Sequence, residues 1–410
     1  MDCKSAMQHI VILDSGLKEL SGHHPSIVML LNNSPLVKNG TLHIDVLGNK
    51  KSNQELKGYL YKESVNFIPH FDTEFYQHFY SNGSLNSFTS YVQKLTKEYI
   101  VSLRKYSSMD VTFLHHTLNW EHALSLSLAL EIVGLSQQHI VCLMFNPYTS
   151  TNDITYRQQR IIRFGLGFRA LSKKSNVKFF AADFETRKAY MDLLGDALID
   201  YHPCGLISKE YLEDIKYRSK DSENIILYFG DAKDNKGFLD LPKIVKGITE
   251  GNNNKNINYI IHYTITNDRD DLAVVERELH CLAKKDNRIK LYSDFMSDVD
   301  RHRIWMECSS IVINYDEKLY ANQSSGILWL SAAYEFEVHF LTQSWLNREA
   351  VRLGLKNKYH SNIPELVHYF SNKVNSNLST NELPKEFTLY KDVLLSDFTD
   401  WLVDTVDKNK

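Results

Sequence analysis

Short apolar runs rich in β-branched residues recur along the first half of the chain: HIVILD, TLHIDVLG, VNFIPHF, DVTFLHH, IVCLMF and VKFFAAD. Longer stretches separate most of them, and in these the apolar residues return every three or four positions, the period of a helix with one buried face. The runs predict strands over 9–14, 41–48, 65–71, 110–116, 140–145 and 177–183, and the periodic stretches predict helices over 90–106, 119–135 and 153–174. A charge-rich stretch over 208–224 interrupts the pattern, which then resumes with strands over 225–230, 257–266, 288–294, 310–315 and 338–343. Helices are predicted near 238–249, 270–284, 296–308, 325–336 and 345–354. Alternation of this kind builds parallel βα units, so the expected class is α/β with two doubly wound domains in tandem. After Pro384, residues 387–406 read as one amphipathic helix, expected to pack back across the domains.

Composition narrows this picture. At 410 residues the chain exceeds the size at which a single core keeps growing, which agrees with two domains. Lys and Arg total 47 against 50 Asp and Glu, so the net charge of −3 argues against a nucleic-acid partner. Five cysteines without a CxxC pair point to neither a disulfide framework nor a zinc knuckle, and a reducing cytoplasm is the expected location. The start, MDCKSAMQHIVILD, lacks the pattern of a signal peptide, and no segment reaches the roughly 20 apolar residues of a membrane span. Any membrane contact is therefore expected to be peripheral. The 23 Tyr and 20 Phe are a surplus that can serve as core or as ligand-stacking surface.

In open α/β sheets ligands bind beyond the carboxyl ends of the strands, so the loops that follow the strands hold the candidate chemistry. Loop 14–28 carries Gly22, which lets the backbone approach a ligand, and His23 and His24 ahead of a helix. A histidine there can act as general base on a hydroxyl; a glycine turn with two exposed histidines is the alternative. Strand 110–116 ends in His115 and His116, which alternate faces, and His116 is the one expected to face the crevice unless it is a satisfied core or cap histidine. Arg157, Arg160 and Arg163 share a helical face that can clamp a phosphate or carboxylate, as would a merely solvated basic face.

In the second half, Gly230, Lys233 and Lys236 in FGDAKDNKGF suit a diphosphate. Gln323, Ser324, Ser325 and Gly326 open a helix whose free N–H groups form either an anion site or a plain serine cap. Asp268 and Asp270 have a spacing that can hold a metal, but acidic residues at a helix start complement its dipole equally well. His70, Asp72, Glu74 and His78 match no standard zinc spacing, so no metal site is expected.

Taken together, these loops resemble those of GT-B glycosyltransferases over nearly the whole chain. FGDAKDNKG resembles the family's glycine followed by Lys-Gly after the first strand of the C-terminal domain. INYDEKLYANQSSGILWLSAAYEF resembles the segment in which a Ser-Gly helix start binds the distal phosphate of a nucleotide sugar. The resemblance implies two Rossmann-like domains, acceptor-binding over 1–205 and donor-binding over 206–386, with a C-terminal helix over 387–410. It assigns Gly22, Gly230, Lys233, Lys236, Tyr320, Gln323, Ser324, Ser325, Gly326 and Ile327 to the donor, and His23, His115, Arg157 and Arg160 to the acceptor. Tyr148, Tyr156 and Tyr320 are the aromatics placed to touch ligand. The chain departs from the family at Asp231, where Arg is usual, and at Gln323 and Ser331, which stand where the family has a pair of glutamates.

The implied reaction is metal-independent hexosyl transfer from a nucleotide diphosphate sugar, a co-substrate with no further cofactor, to a glycan or lipid-linked glycan hydroxyl in bacterial cell-envelope polysaccharide synthesis. His24 and His116 are the implied catalytic residues. A base at His24 would favour inversion, and a His116 that only hydrogen-bonds the sugar leaves retention open. A sugar-nucleotide epimerase of the same fold and a non-catalytic nucleotide- or glycan-binding protein are the competing readings.

Overall fold

The computed structural model describes residues 8–20, 22–60, 65–77, 85–149, 154–195, 197–219, 224–251, 257–266, 269–294, 296–371 and 383–408. Contacts divide the chain into two compact units, Met1–Ser208 with Ser396–Lys410, and Lys209–Leu395. In the first unit, β1 (Gln8–Leu13), β2 (Leu42–Asn49), β3 (Asn66–Phe71), β4 (Thr112–His115), β5 (His139–Leu143), β6 (Val177–Ala181) and β7 (Ile199–Tyr201) form a parallel sheet in the order β3-β2-β1-β4-β5-β6-β7. In the second, β8 (Asn224–Asp231), β9 (Tyr259–Thr264), β10 (Ile289–Tyr292), β11 (Cys308–Ile313), β12 (Glu337–Phe340) and β13 (Asn357–Tyr359) form another, in the order β10-β9-β8-β11-β12-β13.

Both faces of each sheet are covered, which is why the strands read as nearly continuous apolar runs. On β1, Val11 and Leu13 face a core containing Tyr99, Phe113, Leu126 and Phe164. Ile10 and Ile12 face the other way, toward Ile27, Val28 and Leu31 of the helix His23–Asn33. In the second unit Ile225, Leu227, Tyr259 and Ile261 pack against Ile244 and Ile248 of the helix Leu241–Gly251 and Leu279 of the helix Asp270–Lys285.

Three features differ from the sequence expectation. Strands β7 and β13 are three residues each and lie at sheet edges, too short to print a pattern. The charge-rich stretch contains a helix, Lys209–Lys216, that opens the second unit and buries none of its residues. The single C-terminal helix is two helices, Lys385–Leu394 and Phe398–Asp407, because Asp397 accepts the backbone N–H groups of Thr399 and Asp400 and so caps a new start. The first of these belongs to the second unit and the last to the first, where Phe398, Leu402 and Val406, four residues apart, join the core beside Ile27 and Leu31.

Candidate active site

Each sheet has one point where neighbouring strands send the chain in opposite directions, and there the loops part to leave room for a ligand. In the first sheet that point lies between β1 and β4. Asp14 follows β1, His116 follows β4, and His24 sits in the first turn of the helix His23–Asn33. The Asp14 carboxylate accepts a hydrogen bond from the Gly16 N–H at 2.8 Å. His24 Nδ1 lies 2.8 and 2.9 Å from its two oxygens, and His116 Nε2 lies 3.1 Å from Oδ2. All three side chains are buried. Burial alone would raise the Asp14 pKa, yet the histidines at its side hold it well below the usual carboxylate range. The carboxylate is an acceptor for His24 Nδ1–H, an arrangement that turns Nε2 to the other side of the ring.

That Nε2 lies 3.1 Å from the hydroxyl of Tyr76, which is also 3.2 Å from His23 Nε2. Gly16 makes the arrangement sterically possible, because a Cβ there would stand 2.1 Å from His24 Cε1. Beside this cluster, Ser15 Oγ and His122 Nε2 are 2.7 Å apart, and His122 Nδ1 is 2.7 Å from Asn119 Oδ1. Burial pushes His122 down to about 3, so it is neutral and holds Ser15 by hydrogen bonding.

The sequence-predicted residues of this unit divide. His24 and His116 converge on Asp14. Gly22, at φ 85°, caps the helix, so His23 and His24 begin it rather than precede it. His23 stacks on His24 with ring centroids 4.4 Å apart, and burial lowers its pKa to about 3. His115 is a correction: strand alternation turns it inward, where it is fully buried with Nε2 3.0 Å from His139 Nδ1, out of reach of an acceptor. Arg160 departs from a solvated basic face, since it is buried with its guanidinium 4.9 Å from the Phe164 ring. Arg163 lies over Trp120. The Arg157 and Tyr156 side chains lie outside the described residues, while Tyr148 is half-buried on the loop after β5.

Sequence reasoning passed over Asp14, Gly16, Tyr76 and Glu121. Glu121, in the first turn of the helix Trp120–Val133, is fully buried with neither carboxyl oxygen hydrogen-bonded, and burial raises its pKa to about 8.

The second sheet changes direction between β8 and β11. The β8 loop packs on the β11 loop through the Asp316 N–H, which donates to the Asn235 carbonyl at 2.8 Å. Gly237, at φ 76°, is required at this crossing, since a Cβ would stand 2.3 Å from the Asn314 carbonyl oxygen. Lys233 is paired with Asp231 at 2.8 Å. Lys236 reaches back so that its Nζ lies 5.9 Å from the Tyr315 ring centroid and 3.5 Å from where a Gly230 Cβ would be. Burial lowers its pKa. Tyr320 is buried against Tyr315, with ring centroids 4.6 Å apart.

The helix Gly326–Ala333 begins with Ser325 at the N-cap position, but the Ser325 side chain does not cap it. Gly326 is exposed with open space where a Cβ would project, Gln323 is exposed, Ser324 is half-buried and Ile327 is buried. Ser331, standing where a glutamate was expected, is buried and donates to the Ile327 carbonyl at 2.7 Å.

Asp268 and His78 lie outside the described residues. Asp270 and Asp271 sit in the first turn of a helix, with Arg269 bonded to Asp271 and Asp234. Asp72 pairs with Lys50, Glu74 with Lys51, and His70 bonds the Glu98 carbonyl.

The sequence matches no family model and no curated protein. Its structure does find counterparts. A glycosyltransferase from Rickettsia africae superposes with a TM-score of 0.59 at 12% identity, covering 98% of this chain and 99% of that one. HepE from Anabaena, in complex with UDP and glucose, gives 0.55 at 11%, covering 97% and 99%. UDP-GlcNAc 2-epimerase from Methanocaldococcus jannaschii gives 0.55 at 13%, covering 98% and 100%. Two parallel α/β units matched end to end in this way make the fold GT-B, as the loop resemblance implied. Among the described residues no helix is long and apolar enough to cross a membrane.

Proposed function

We propose that the protein is a glycosyltransferase that moves a hexosyl group from a nucleotide diphosphate sugar to a hydroxyl of a glycan or lipid-linked glycan. The observation that carries this reading is the Asp14–His24 pair at the carboxyl edge of the first sheet. A buried carboxylate orients the imidazole, and Nε2 is left facing the Tyr76 hydroxyl, where an acceptor hydroxyl would deliver its proton. As the acceptor oxygen bonds to the sugar's anomeric carbon and the bond to the diphosphate breaks, the proton passes to His24, and Asp14 stabilises the imidazolium. Lys236 and the N–H groups at the Gly326 helix start take the charge on the departing diphosphate, without a metal, a preorganised role worth several kcal/mol. Gly237 lets the lysine loop close on Asn314, and Gly230 leaves room beside the Lys236 ammonium. Cell-envelope polysaccharide synthesis at the cytoplasmic face of the membrane is the setting we assign; a lipopolysaccharide outer core galactosyltransferase among the similar structures supports it.

Epimerisation of the nucleotide sugar is the second reading, favoured by an epimerase that superposes at 0.55, against 0.55 and 0.59 for two transferases. The test incubates the purified protein with UDP-, GDP-, dTDP- and CMP-sugars and follows nucleotide release with and without glycan acceptors. Acceptor-stimulated release supports transfer, interconversion of the sugar supports epimerisation, and binding without turnover refutes catalysis. Lys236→Ala should weaken donor binding about tenfold or more, the loss of one charge-assisted contact, and leave the fold intact. Undiminished turnover by that variant overturns the donor assignment.

A further inference from the structure

A second cluster of histidines and a carboxylate lies at the opposite, amino-terminal edge of the first sheet, at the other end of β1 from Asp14. It stands apart from the transfer reading. His9 is on β1 and His43 and Asp45 are on β2, and the strands pair so that His9 lies beside His43 and Val11 beside Asp45. Alternation places all three on one face of the sheet, the face of Val11 and Leu47. His9 Nε2 is 3.2 Å from Asp45 Oδ2, and His43 Nε2 is 3.4 Å from Asp45 Oδ1. The three ligand atoms lie within 4.8 Å of one another.

We propose that His9, His43 and Asp45 form a three-ligand site for a zinc-class divalent transition metal. An ion bound tetrahedrally with bonds of about 2.0–2.1 Å sets its ligand atoms roughly 3.3 Å apart, the distance at which each imidazole nitrogen stands from one oxygen of the carboxylate. The donor set of two imidazoles and one carboxylate selects zinc and its neighbours over magnesium or calcium, which take oxygen ligands.

The carboxylate is held as a metal-bound carboxylate is held. Its Oδ2 accepts from the Tyr106 hydroxyl at 2.7 Å and its Oδ1 from Asn66 Nδ2 at 2.8 Å. Asp45 and His9 are nearly buried, whereas the His43 side chain is 43% exposed, which provides both an entry path and a fourth position for water. The cluster of Asp14, His24 and His116 also groups three ligand atoms, but all its side chains are at most 8% exposed, so an ion has no comparable route to it. Bound zinc would tie β1 to β2 at the edge where Gln8 Nε2 already meets Asp407 of the C-terminal helix at 2.5 Å.

The experiment is titration of the tag-free, chelator-treated full chain with zinc chloride, by calorimetry and by competition with a chromophoric chelator. Thermal melting is recorded with and without zinc. The expected result is one zinc per chain at low-micromolar affinity or tighter, with a melting temperature raised by zinc. His43→Ala, a half-exposed position whose truncation leaves the fold in place, should lose at least tenfold in affinity and the thermal shift. Tyr106→Phe, which removes only the outer hydrogen bond, should weaken binding by about tenfold. His116→Ala should bind as the wild type does. Absence of stoichiometric binding, unchanged affinity in His43→Ala, or loss in His116→Ala with retention in His43→Ala each overturns the proposal.

Discussion

Asp14→Asn is a nearly isosteric change that removes one charge from the centre of the first site. In the wild type Oδ1 serves the Gly16 N–H and His24 Nδ1, while Oδ2 faces His24 Nδ1 and His116 Nε2. An amide offers one acceptor and one donor, so whichever way it turns, one imidazole loses its acceptor. If the NH2 faces His24, it forces the proton from Nδ1 to Nε2, and the base is lost. The charge-assisted hydrogen bond from His24 is worth about 1.5–3 kcal/mol, so its loss should lower kcat by about 10–10². Stability falls as well, because the Asp14 pKa is depressed in the fold. Its contribution is fully present above the unfolded value near 3.9 and is lost as pH falls through the folded value, so wild type and variant should differ at pH 7 and converge in strong acid. The assay is acceptor-stimulated nucleotide release, with circular dichroism and thermal melting at pH 7 alongside. A variant that folds and turns over within about threefold of wild type would show that Asp14 does not orient a catalytic histidine.

Gly16→Ala introduces a Cβ 2.1 Å from the His24 ring and should displace it from Asp14, lowering kcat more than donor affinity; equal effects on both would contradict this. Glu121, raised to about 8 from 4.5, is neutral at pH 7, so its burial penalises the fold increasingly as pH rises across that interval. Glu121→Gln should therefore melt higher than wild type near pH 9, with the gap closing below pH 5, and melting curves across that range decide it. Leu402→Ala removes a fully buried side chain from the C-terminal helix and should cost about 2–5 kcal/mol, read by denaturant unfolding of the full chain.

The fold is largely legible in the sequence because parallel strands covered on both faces must be apolar throughout, and HIVILD or SIVINY can hardly be anything else. What escapes is short or polar: IDY at β7 and NKY at β13 have three residues each, and polar residues lie within both. The site is legible by halves. Strand alternation separates His116 from His115, and glycines mark the loops after β1 and β8. Asp14 is silent, since a carboxylate at the end of a strand looks like a turn residue until the fold sets it between residues 24 and 116. Gly16 is silent for the same reason, for its purpose is the ring that lies against it. The second site shows the converse. Its Ser-Gly helix start reads plainly in the chain, yet its expected glutamate partner is Ser331, buried and bonded to its own helix. On the proposed reading, donor recognition would rest on Lys236, the loop backbone and the helix start. These are groups whose positions the β8 and β11 backbones dictate, so the fold, which is shared at 11% identity, sets where they stand.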